Sequence, residues 1–245
     1  GLKLVRIYWG GGDFKGIERG GSCQMDLSPA LAGKYITVGV TGGIAVFKAA
    51  QLVSNLKARG ADLHVIMTRS AQEFVRPLTF QVLSGRPVYT GLFEHSSHYN
   101  VLHVDVATQS DLVVVVPATA NVLGKVAGGI ADDLLTTVIM AAACPVLFCP
   151  AMNVNMYNNP VVRRNIDDLR GLGYHFVEPG VGRLACGAQG RGRLADLEVI
   201  LENITRLATP AGNLRGLTVM VTAGPCPLIT SDAADDRTFV DLGVR

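Results

Sequence analysis

The sequence predicts an α/β protein in which helices cover both faces of a parallel β-sheet. Between residues 35 and 208, short β-branched runs of strand length alternate with longer segments of helical periodicity. One of these runs, Asp111–Val116, is valine-rich and uninterrupted, as expected for a strand that is buried on both faces. Such a sheet is connected by right-handed crossovers and binds ligands at the carboxyl ends of its strands. Functional residues are therefore expected directly after each strand.

The elements follow one another in the order that such a fold requires. Tyr35–Val40 is an apolar run that ends at a Thr-Gly-Gly turn, and Ile44–Arg59 has helical spacing and stops at Gly60. The later elements, in order, are strand Asp62–Met67, helical segments from Ser70 to Ser84, strand Asp111–Val116, helices from Asn121 and from Asp132 to Ala142, strand Pro145–Cys149, helix Pro160–Leu172, strand Tyr174–Val177 and helix Leu197–Leu207. This order predicts a doubly wound, Rossmann-like (flavodoxin-like) sheet with three α/β/α layers.

Composition divides the chain into three parts. Residues 1–34 are glycine-rich and irregular, and an extra strand, an ordered arm and a segment foreign to the natural protein all fit them. Residues 35–208 form the predicted α/β domain. Residues 209–245 begin with a linker that contains proline and glycine, continue with one strand-like run and then become polar.

Length and composition exclude several classes of protein. With 245 residues, of which 49% are hydrophobic and 17% charged, the chain can bury a large core, and intrinsic disorder is excluded for most of it. The net charge of +2 comes from charges of both signs, so no nucleic-acid partner is predicted. No apolar run reaches the roughly 18 residues of a membrane span, and the start lacks a signal-peptide core. Five cysteines without CxxC spacing predict neither a disulfide framework nor a metal site, so we expect a soluble cytoplasmic protein.

The loops after the first two strands have features of phosphate sites. In Thr41-Gly42-Gly43-Ile44-Ala45, two glycines allow close backbone approach, and the helix N-terminus offers N–H groups to a phosphate. Neither GxGxxG nor a Walker lysine is present, so a dinucleotide or nucleoside triphosphate is not indicated. Thr68 and Ser70 place two hydroxyls at a helix start, with Phe74 one turn later. These hydroxyls suit a phosphate, but Ser and Thr are also ordinary helix N-caps.

The loops after the next two strands carry amide side chains. Pro117–Asn121 combines small residues with a hydroxyl and an amide, which suits a ring system that needs close backbone contact. Asn121 and Asp132 also fit as helix caps. Core packing gives no reason for the Met-Asn-x-x-Met cluster in Pro150–Tyr157, where Asn153 offers a donor and an acceptor to a polar substrate.

His103 is the candidate acid/base residue. The alternation in Leu102–Ala107 predicts a short extended stretch that places His103 and Asp105 on one face. A lone histidine is more often structural than catalytic, yet an imidazole titrates near neutrality and is a natural proton-transfer group beside a site.

Cys186 is the candidate proton donor among the five cysteines. It lies in the glycine-rich segment Leu184–Leu194, whose composition predicts a long mobile loop. Cys144 and Cys149 flank an apolar strand and fit the core. A free thiol without a role is the alternative for Cys186.

These motifs occur in one order that resembles a known family. Thr41–Ala45, His103-Val104-Asp105, Pro117–Asn121, Pro150–Met156 and Ala185-Cys186-Gly187 make residues 35–208 resemble the homo-oligomeric flavin-containing cysteine decarboxylases. Within that family, the segment resembles the decarboxylases of phosphopantothenoylcysteine.

The tail has a resemblance of its own. Leu217–Pro225 resembles the start of a phosphopantothenate–cysteine ligase domain, but the chain diverges from Cys226 onward, so no ligase activity is predicted. Residues 1–34 resemble nothing in the family.

The family resemblance implies FMN as the cofactor, bound at the carboxyl edge of the sheet between subunits of a homo-oligomer built from trimers. The flavin-binding residues that it implies are Gly43, Ile44, Ala45, Thr68, Ser70, Phe74, Ala118, Thr119, Asn121 and Asp132. The catalytic residues that it implies are His103, Asn153 and Cys186. Substrate binding is implied for Asn153, Met156 and Ala185.

The implied reaction converts 4′-phosphopantothenoyl-L-cysteine to 4′-phosphopantetheine in coenzyme A biosynthesis. Oxidation of the cysteine β-carbon by FMN gives a thioaldehyde, which accepts the electrons that CO2 leaves behind. The resemblance assigns acid/base chemistry to His103, with Asp105 fixing its tautomer, and binding of the carboxylate and amide to Asn153. Cys186 would protonate the enethiolate while reduced FMN returns its hydride.

Two alternatives stay open. A peptidyl-cysteine decarboxylase that forms aminoenethiols would use the same flavin, His103 and Asn153 but has no need of Cys186. A flavin-binding regulatory subunit without catalysis is the other, and the presence of all three candidate catalytic residues argues against it.

Overall fold

The computed structural model describes residues 31–92, 102–183 and 189–209. Predictions for residues 1–30, for Ala185 and Cys186, and for the tail from residue 210 lie outside the described residues. Within the described part of the chain, no helix is both long and apolar enough to cross a membrane.

Six parallel strands form the central sheet: β1 (Tyr35–Val40), β2 (Asp62–Met67), β3 (Val88–Tyr89), β4 (Leu112–Ala118), β5 (Val146–Pro150) and β6 (His175–Phe176). Their order across the sheet is β3-β2-β1-β4-β5-β6. The chain order reverses between β1 and β4, which creates a switch point at the carboxyl edge of the sheet. The predicted doubly wound fold class is confirmed.

Nine described helices surround this sheet. They are α1 (Val46–Ala58), α2 (Arg69–Gln72), α3 (Pro77–Ser84), α4 (Leu102–Gln109), α5 (Ala120–Ala127), α6 (Leu134–Ala141), α7 (Val154–Asn158), α8 (Pro160–Gly171) and α9 (Leu197–Ala208). Buried side chains of α1, α3 and α9 form one apolar cluster with one face of the sheet, and those of α4, α5, α6 and α8 form a second cluster with the other. The predicted three layers are therefore present, and β4 is buried along its whole length between them.

Several elements differ from the sequence prediction, among them the helical stretch after β2 and the glycine-rich loop. The predicted helical stretch from Ser70 to Ser84 is two helices, because Pro77 forces extended backbone onto Arg76. Part of the predicted glycine-rich loop is strand: β7 (Gly180–Arg183) and β8 (Gln189–Arg193) pair as a separate antiparallel ribbon.

The prediction of an extended stretch around His103 is wrong. These residues open helix α4, in which positions two apart point in nearly opposite directions, so His103 and Asp105 do not share a face. The sequence of residues 102–107 is compatible with both structures. Its alternation of apolar and polar residues fits a strand, but the four-residue spacing of Leu102 and Val106 fits a helix equally well.

Candidate active site

A cavity of about 870 Å³ lies at the switch point of the sheet. Its walls come from the loops after β1, β2, β4 and β5 and from the end of β8. The volume is within the range of small-molecule and cofactor sites, and the position is where such sheets bind ligands. The rule that places functional residues directly after the strands therefore points to this cavity as the candidate site.

The loops after β1 and β2 are in direct contact because Gly42 has no side chain. A Cβ at this position would lie 2.4 Å from Ser70 Cβ and 2.9 Å from the Ser70 backbone. Gly43, Ile44, Ala45 and Ser70 all line the cavity beside this contact. Only glycine at position 42 permits the two loops to meet in this way.

The structure distinguishes between the two roles that the sequence allowed for Thr68, helix capping and ligand binding. Thr68 occupies the N-cap position of α2, but its side chain makes no capping hydrogen bond. Its Oγ1 atom is buried and, among the described residues, has no hydrogen-bond partner. A buried hydroxyl without a partner costs about 1–3 kcal/mol, so its position in the cavity wall points to a ligand that supplies the missing bond.

Two threonines connect the ends of β1 and β4. Thr41 Oγ1 donates to the Pro117 carbonyl at 2.6 Å and lies 3.3 Å from Thr119 Oγ1. Thr119 is the N-cap residue of α5, again without a side-chain capping bond, and it lines the cavity. Asn121 is therefore not a cap: it lies exposed within α5 and faces the cavity.

Asp133, and not Asp132 as expected from the sequence, caps α6 and lines the cavity. Asp133 is the N-cap of α6, accepts a hydrogen bond from Thr136 N at 2.8 Å and lines the cavity. Asp132 does not line the cavity; its Oδ1 lies 2.7 Å from Nζ of Lys125, which does. Lys125 also contacts Asp133 at 3.3 Å. The hydrogen bond to Asp132 raises the pKa of Lys125 and lowers the pKa of Asp132, so this cation is neutralised within the protein.

The wall after β5 is formed by the asparagine–methionine motif. Asn153 Oδ1 accepts a hydrogen bond from Asn155 N at 2.8 Å as the N-cap of α7, and this bond fixes the orientation of the amide group. Met156 is half-exposed and lines the cavity.

The ribbon β7–β8 is attached to this wall. Met152 N donates to Gly192 O at 2.9 Å, and a Cβ at Gly192 would lie 2.3 Å from Met152 O. Gly192 also has a φ of +142°, which L side chains rarely adopt. The attachment places Arg193, at the end of β8, in the cavity wall.

Three further predicted residues lie outside the cavity of this chain. Phe74 is 51% exposed and lines a shallow groove beside α3, and Ala118 is fully buried in β4. His103 lies in the first turn of α4. The end of α4 leads into the start of β4, so the helix runs opposite to the strands. Its first turn is therefore directed toward the carboxyl edge of the sheet, where the cavity lies.

The two cysteines with described structure fit the predicted core role. Cys149 is buried, and its burial raises the pKa of the thiol strongly. Burial also raises the pKa of Cys144. Neither thiol is placed as a reactive group.

Four cationic residues of the cavity wall were not predicted from the sequence. They are Lys48, Arg69, Lys125 and Arg193. A usable signal was present for two of them: Arg69 stands between the two predicted hydroxyl residues, and Lys48 follows the predicted glycine turn within about one helical turn. Nothing in the sequence placed Lys125 or Arg193 at the cavity, because their positions depend on how α5 and the ribbon pack.

Comparisons with known proteins identify the family and several relatives of this chain. The family model described as Flavoprotein matches residues 26–209. The coenzyme A biosynthesis bifunctional protein CoaBC of Bacillus subtilis is 48% identical over 215 residues, which are 85% of this chain and 51% of the relative. The CoaBC protein of Escherichia coli K12 is 39% identical over 196 residues, or 80% of this chain and 48% of the relative. The chain thus spans about half the length of these curated relatives.

Two solved structures are similar as well. A cysteine-to-serine mutant of PPC decarboxylase, complexed with pantothenoylaminoethenethiol, is 30% identical with a TM-score of 0.62, over 70% of this chain and 96% of that one. The FMN-dependent cysteine decarboxylase SpaF is 31% identical with a TM-score of 0.64, over 72% of this chain and 98% of that one. Because the family model covers most of the domain that contains the cavity, this chain belongs to the Flavoprotein family.

Proposed function

We propose that this domain is an FMN-dependent decarboxylase that converts 4′-phosphopantothenoyl-L-cysteine to 4′-phosphopantetheine and CO2. The observation that carries the proposal is the convergence of the loops after β1, β2, β4 and β5 on one cavity that contains both the unpartnered Thr68 hydroxyl and Asn153. The relatives named for coenzyme A biosynthesis and for PPC decarboxylase support the choice of reaction.

The residues of the cavity fit FMN. Thr68 offers a buried hydroxyl that lacks a partner within the described structure, and Arg69 and Ser70 line the wall beside it. We assign the flavin phosphate to this group and the ring to the wall formed by Ala45 and Thr119. When bound, FMN supplies reversible hydride transfer with the substrate.

Asn153 is proposed to bind the carboxylate and amide of the substrate's cysteine end. Its Oδ1 is held by Asn155 N, so the side chain is oriented before the substrate arrives. Met156 contributes apolar surface to the same wall, which favours loss of water around the carboxylate.

His103 is proposed to act in the cavity of a second copy of the chain. It does not line the cavity of its own chain, although its helix begins toward the same edge of the sheet. The domain would then work as a homo-oligomer, which we propose to be built from trimers. In this arrangement His103 transfers protons and orients the substrate carboxylate.

Co-expression of two inactive variants tests this arrangement. His103→Asn and Asn153→Asp should each retain FMN but lose CO2 release. If one site takes these residues from different subunits, randomly mixed oligomers should recover about a quarter of wild-type turnover. Mixtures that stay inactive would show that both residues serve the same chain's site.

Cys186 is proposed to donate the proton that completes the reduced product. In the sequence it falls between the residues of β7 and those of β8, and β8 ends in the cavity wall. A reduced thiol in this role requires a reducing compartment, so we propose a cytoplasmic location.

A peptidyl-cysteine decarboxylase is the second candidate, because one similar cysteine decarboxylase, TvaF, belongs to a biosynthesis other than that of coenzyme A. TvaF, an FMN-dependent cysteine decarboxylase from thioviridamide biosynthesis, is 38% identical over 60% of this chain with a TM-score of 0.57. Incubating the purified protein with phosphopantothenoylcysteine and with a peptide that ends in cysteine, and weighing the products, separates the two functions. Phosphopantetheine is the expected product; a decarboxylated peptide with no phosphopantetheine would favour the second candidate.

A further inference from the structure

Four cationic side chains among the described residues line the cavity, and they are not equivalent. Lys125 is paired with Asp132 and Asp133. The other three, Lys48, Arg69 and Arg193, form no ion pair within the described part of the chain. The unpaired cations are therefore the groups in the wall that can bind an anion on a ligand.

The order of the strands separates these cations into two groups. Lys48 and Arg69 follow β1 and β2, whereas Arg193 is held beside the loop after β5 by the hydrogen bond from Met152 N to Gly192 O. Strands β2 and β5 are separated by β1 and β4, which corresponds to three strand spacings, or about 14 Å. The backbones that carry Arg69 and Arg193 therefore lie on different sides of the cavity, and we assign these two cations to separate anions.

The buried Thr68 hydroxyl lies beside Arg69, and the proposed function places the flavin phosphate there. This assignment leaves Arg193 for the other anionic ligand, the substrate. The substrate carries two anionic groups, a carboxylate at the cysteine end and a phosphate at the opposite end.

We propose that Arg193 is a specificity-determining residue that binds the phosphate of the substrate; this inference rests on the proposed function. A guanidinium paired with the carboxylate would stabilise the charged ground state and oppose loss of CO2, because that charge leaves the carboxylate in the transition state. Binding of the distant phosphate carries no such penalty. Guanidinium groups also match phosphate oxygens through two parallel hydrogen bonds.

The location of Arg193 fits this role. The residue is exposed and lines the cavity, and its side chain extends over β7, the strand of the ribbon that is not bonded to the Met152 loop. Its side chain crosses the ribbon over Gly182, where a Cβ would lie 3.4 Å from an Arg193 guanidinium nitrogen. The absence of a side chain at Gly182 leaves this path open to the guanidinium.

The test compares Arg193→Gln, Arg193→Lys and the control Arg191→Gln on two substrates, phosphopantothenoylcysteine and its dephosphorylated form. Arg191 lies on the same strand and is exposed but does not line the cavity. For Arg193→Gln we expect kcat/KM to fall about 10- to 100-fold on the phosphorylated substrate and less than about threefold on the other. Arg193→Lys should lose less, because it keeps the charge. Arg191→Gln should behave like the wild type on both.

Three outcomes would overturn the inference. Equal losses on both substrates would place Arg193 at the carboxylate or in a structural role. Weaker FMN binding by Arg193→Gln, measured by flavin fluorescence, would place it at the flavin phosphate. Wild-type protein that turns over neither substrate would overturn the proposed function itself, so the two failures are distinguishable.

Discussion

Replacing Thr68 with valine should stabilise the flavin-free protein and weaken FMN binding at the same time. The Thr68 hydroxyl is buried without a partner among the described residues, and valine keeps its shape while removing the polar atom. Relief of this unsatisfied group should raise the free energy of unfolding by about 1–2 kcal/mol. For a domain of this size, the melting temperature of the flavin-free form should rise by about 2–6 °C.

The affinity for FMN should change in the opposite direction. If the hydroxyl donates to a charged phosphate oxygen, its loss removes about 1.5–3 kcal/mol, which corresponds to a 10- to 150-fold rise in Kd. Excess FMN should therefore raise the melting temperature of Thr68→Val less than that of the wild type. Calorimetry with and without FMN, together with a fluorescence titration, measures both quantities.

Thr37 provides a matched control within the same sheet. Its Oγ1 is buried and lies 2.7 Å from Ser110 Oγ, so the hydroxyl is satisfied within the protein. Thr37→Val should lower the free energy of unfolding by about 1 kcal/mol and leave the Kd for FMN unchanged. A flavin-free Thr68→Val protein that is less stable than wild type, or one that binds FMN normally, would refute the assignment of Thr68.

Three further predictions address the ribbon, a buried histidine and the asparagine. Gly192→Ala should weaken the attachment of the ribbon by about 2–4 kcal/mol, measured as faster hydrogen exchange at the Met152 amide. Gly180→Ala is the control and should leave this exchange unchanged, because a Cβ at Gly180 would lie 3.8 Å from the nearest atom, Arg193 O. Burial lowers the pKa of His64 below its ordinary value of 6.5, so the unfolded state binds more protons than the folded state. The free energy of unfolding should therefore decrease as the pH drops below about 6.5. Between pH 7 and pH 5, His64→Gln should lose less of this free energy than the wild type. Asn153→Asp should keep the cap of α7 and bind FMN but lose turnover, because a second negative charge opposes substrate binding; wild-type kcat/KM would contradict this.

The central strands were predictable because their burial on both faces appears directly in the sequence. The valines of β4 and the apolar run of β1 leave no polar face, and their predicted bounds agree with the structure within two residues. The edge strand β3 has two residues and no periodicity that could reveal it. The glycine-rich β8 has no β-branched residue, so its strand character depends on pairing with β7 and contact with the Met152 loop.

The candidate site was predictable in position but less so in detail. The sequence could not choose between capping and binding for Thr68, because the same hydroxyl at the same helix start serves either purpose. Only the geometry shows that its capping bond is not made. Asp132 and Asp133 are adjacent and chemically identical, and the backbone at the start of α6 decides that Asp133 is the cap and that Asp132 pairs with Lys125.

The proposed assembly connects two features of the cavity that a single chain leaves unexplained. Ile44 and Phe47 line the cavity with 62% and 63% of their surface exposed, and such apolar groups beside a site are typical of surfaces that a partner covers. The second feature is the position of His103. This residue lies toward the edge of the sheet that holds the cavity, but it does not line the cavity of its own chain. A second copy seated on the apolar rim would cover the first two residues and could bring its His103 to the substrate. The co-expression of His103→Asn with Asn153→Asp therefore tests the part of this arrangement that concerns His103.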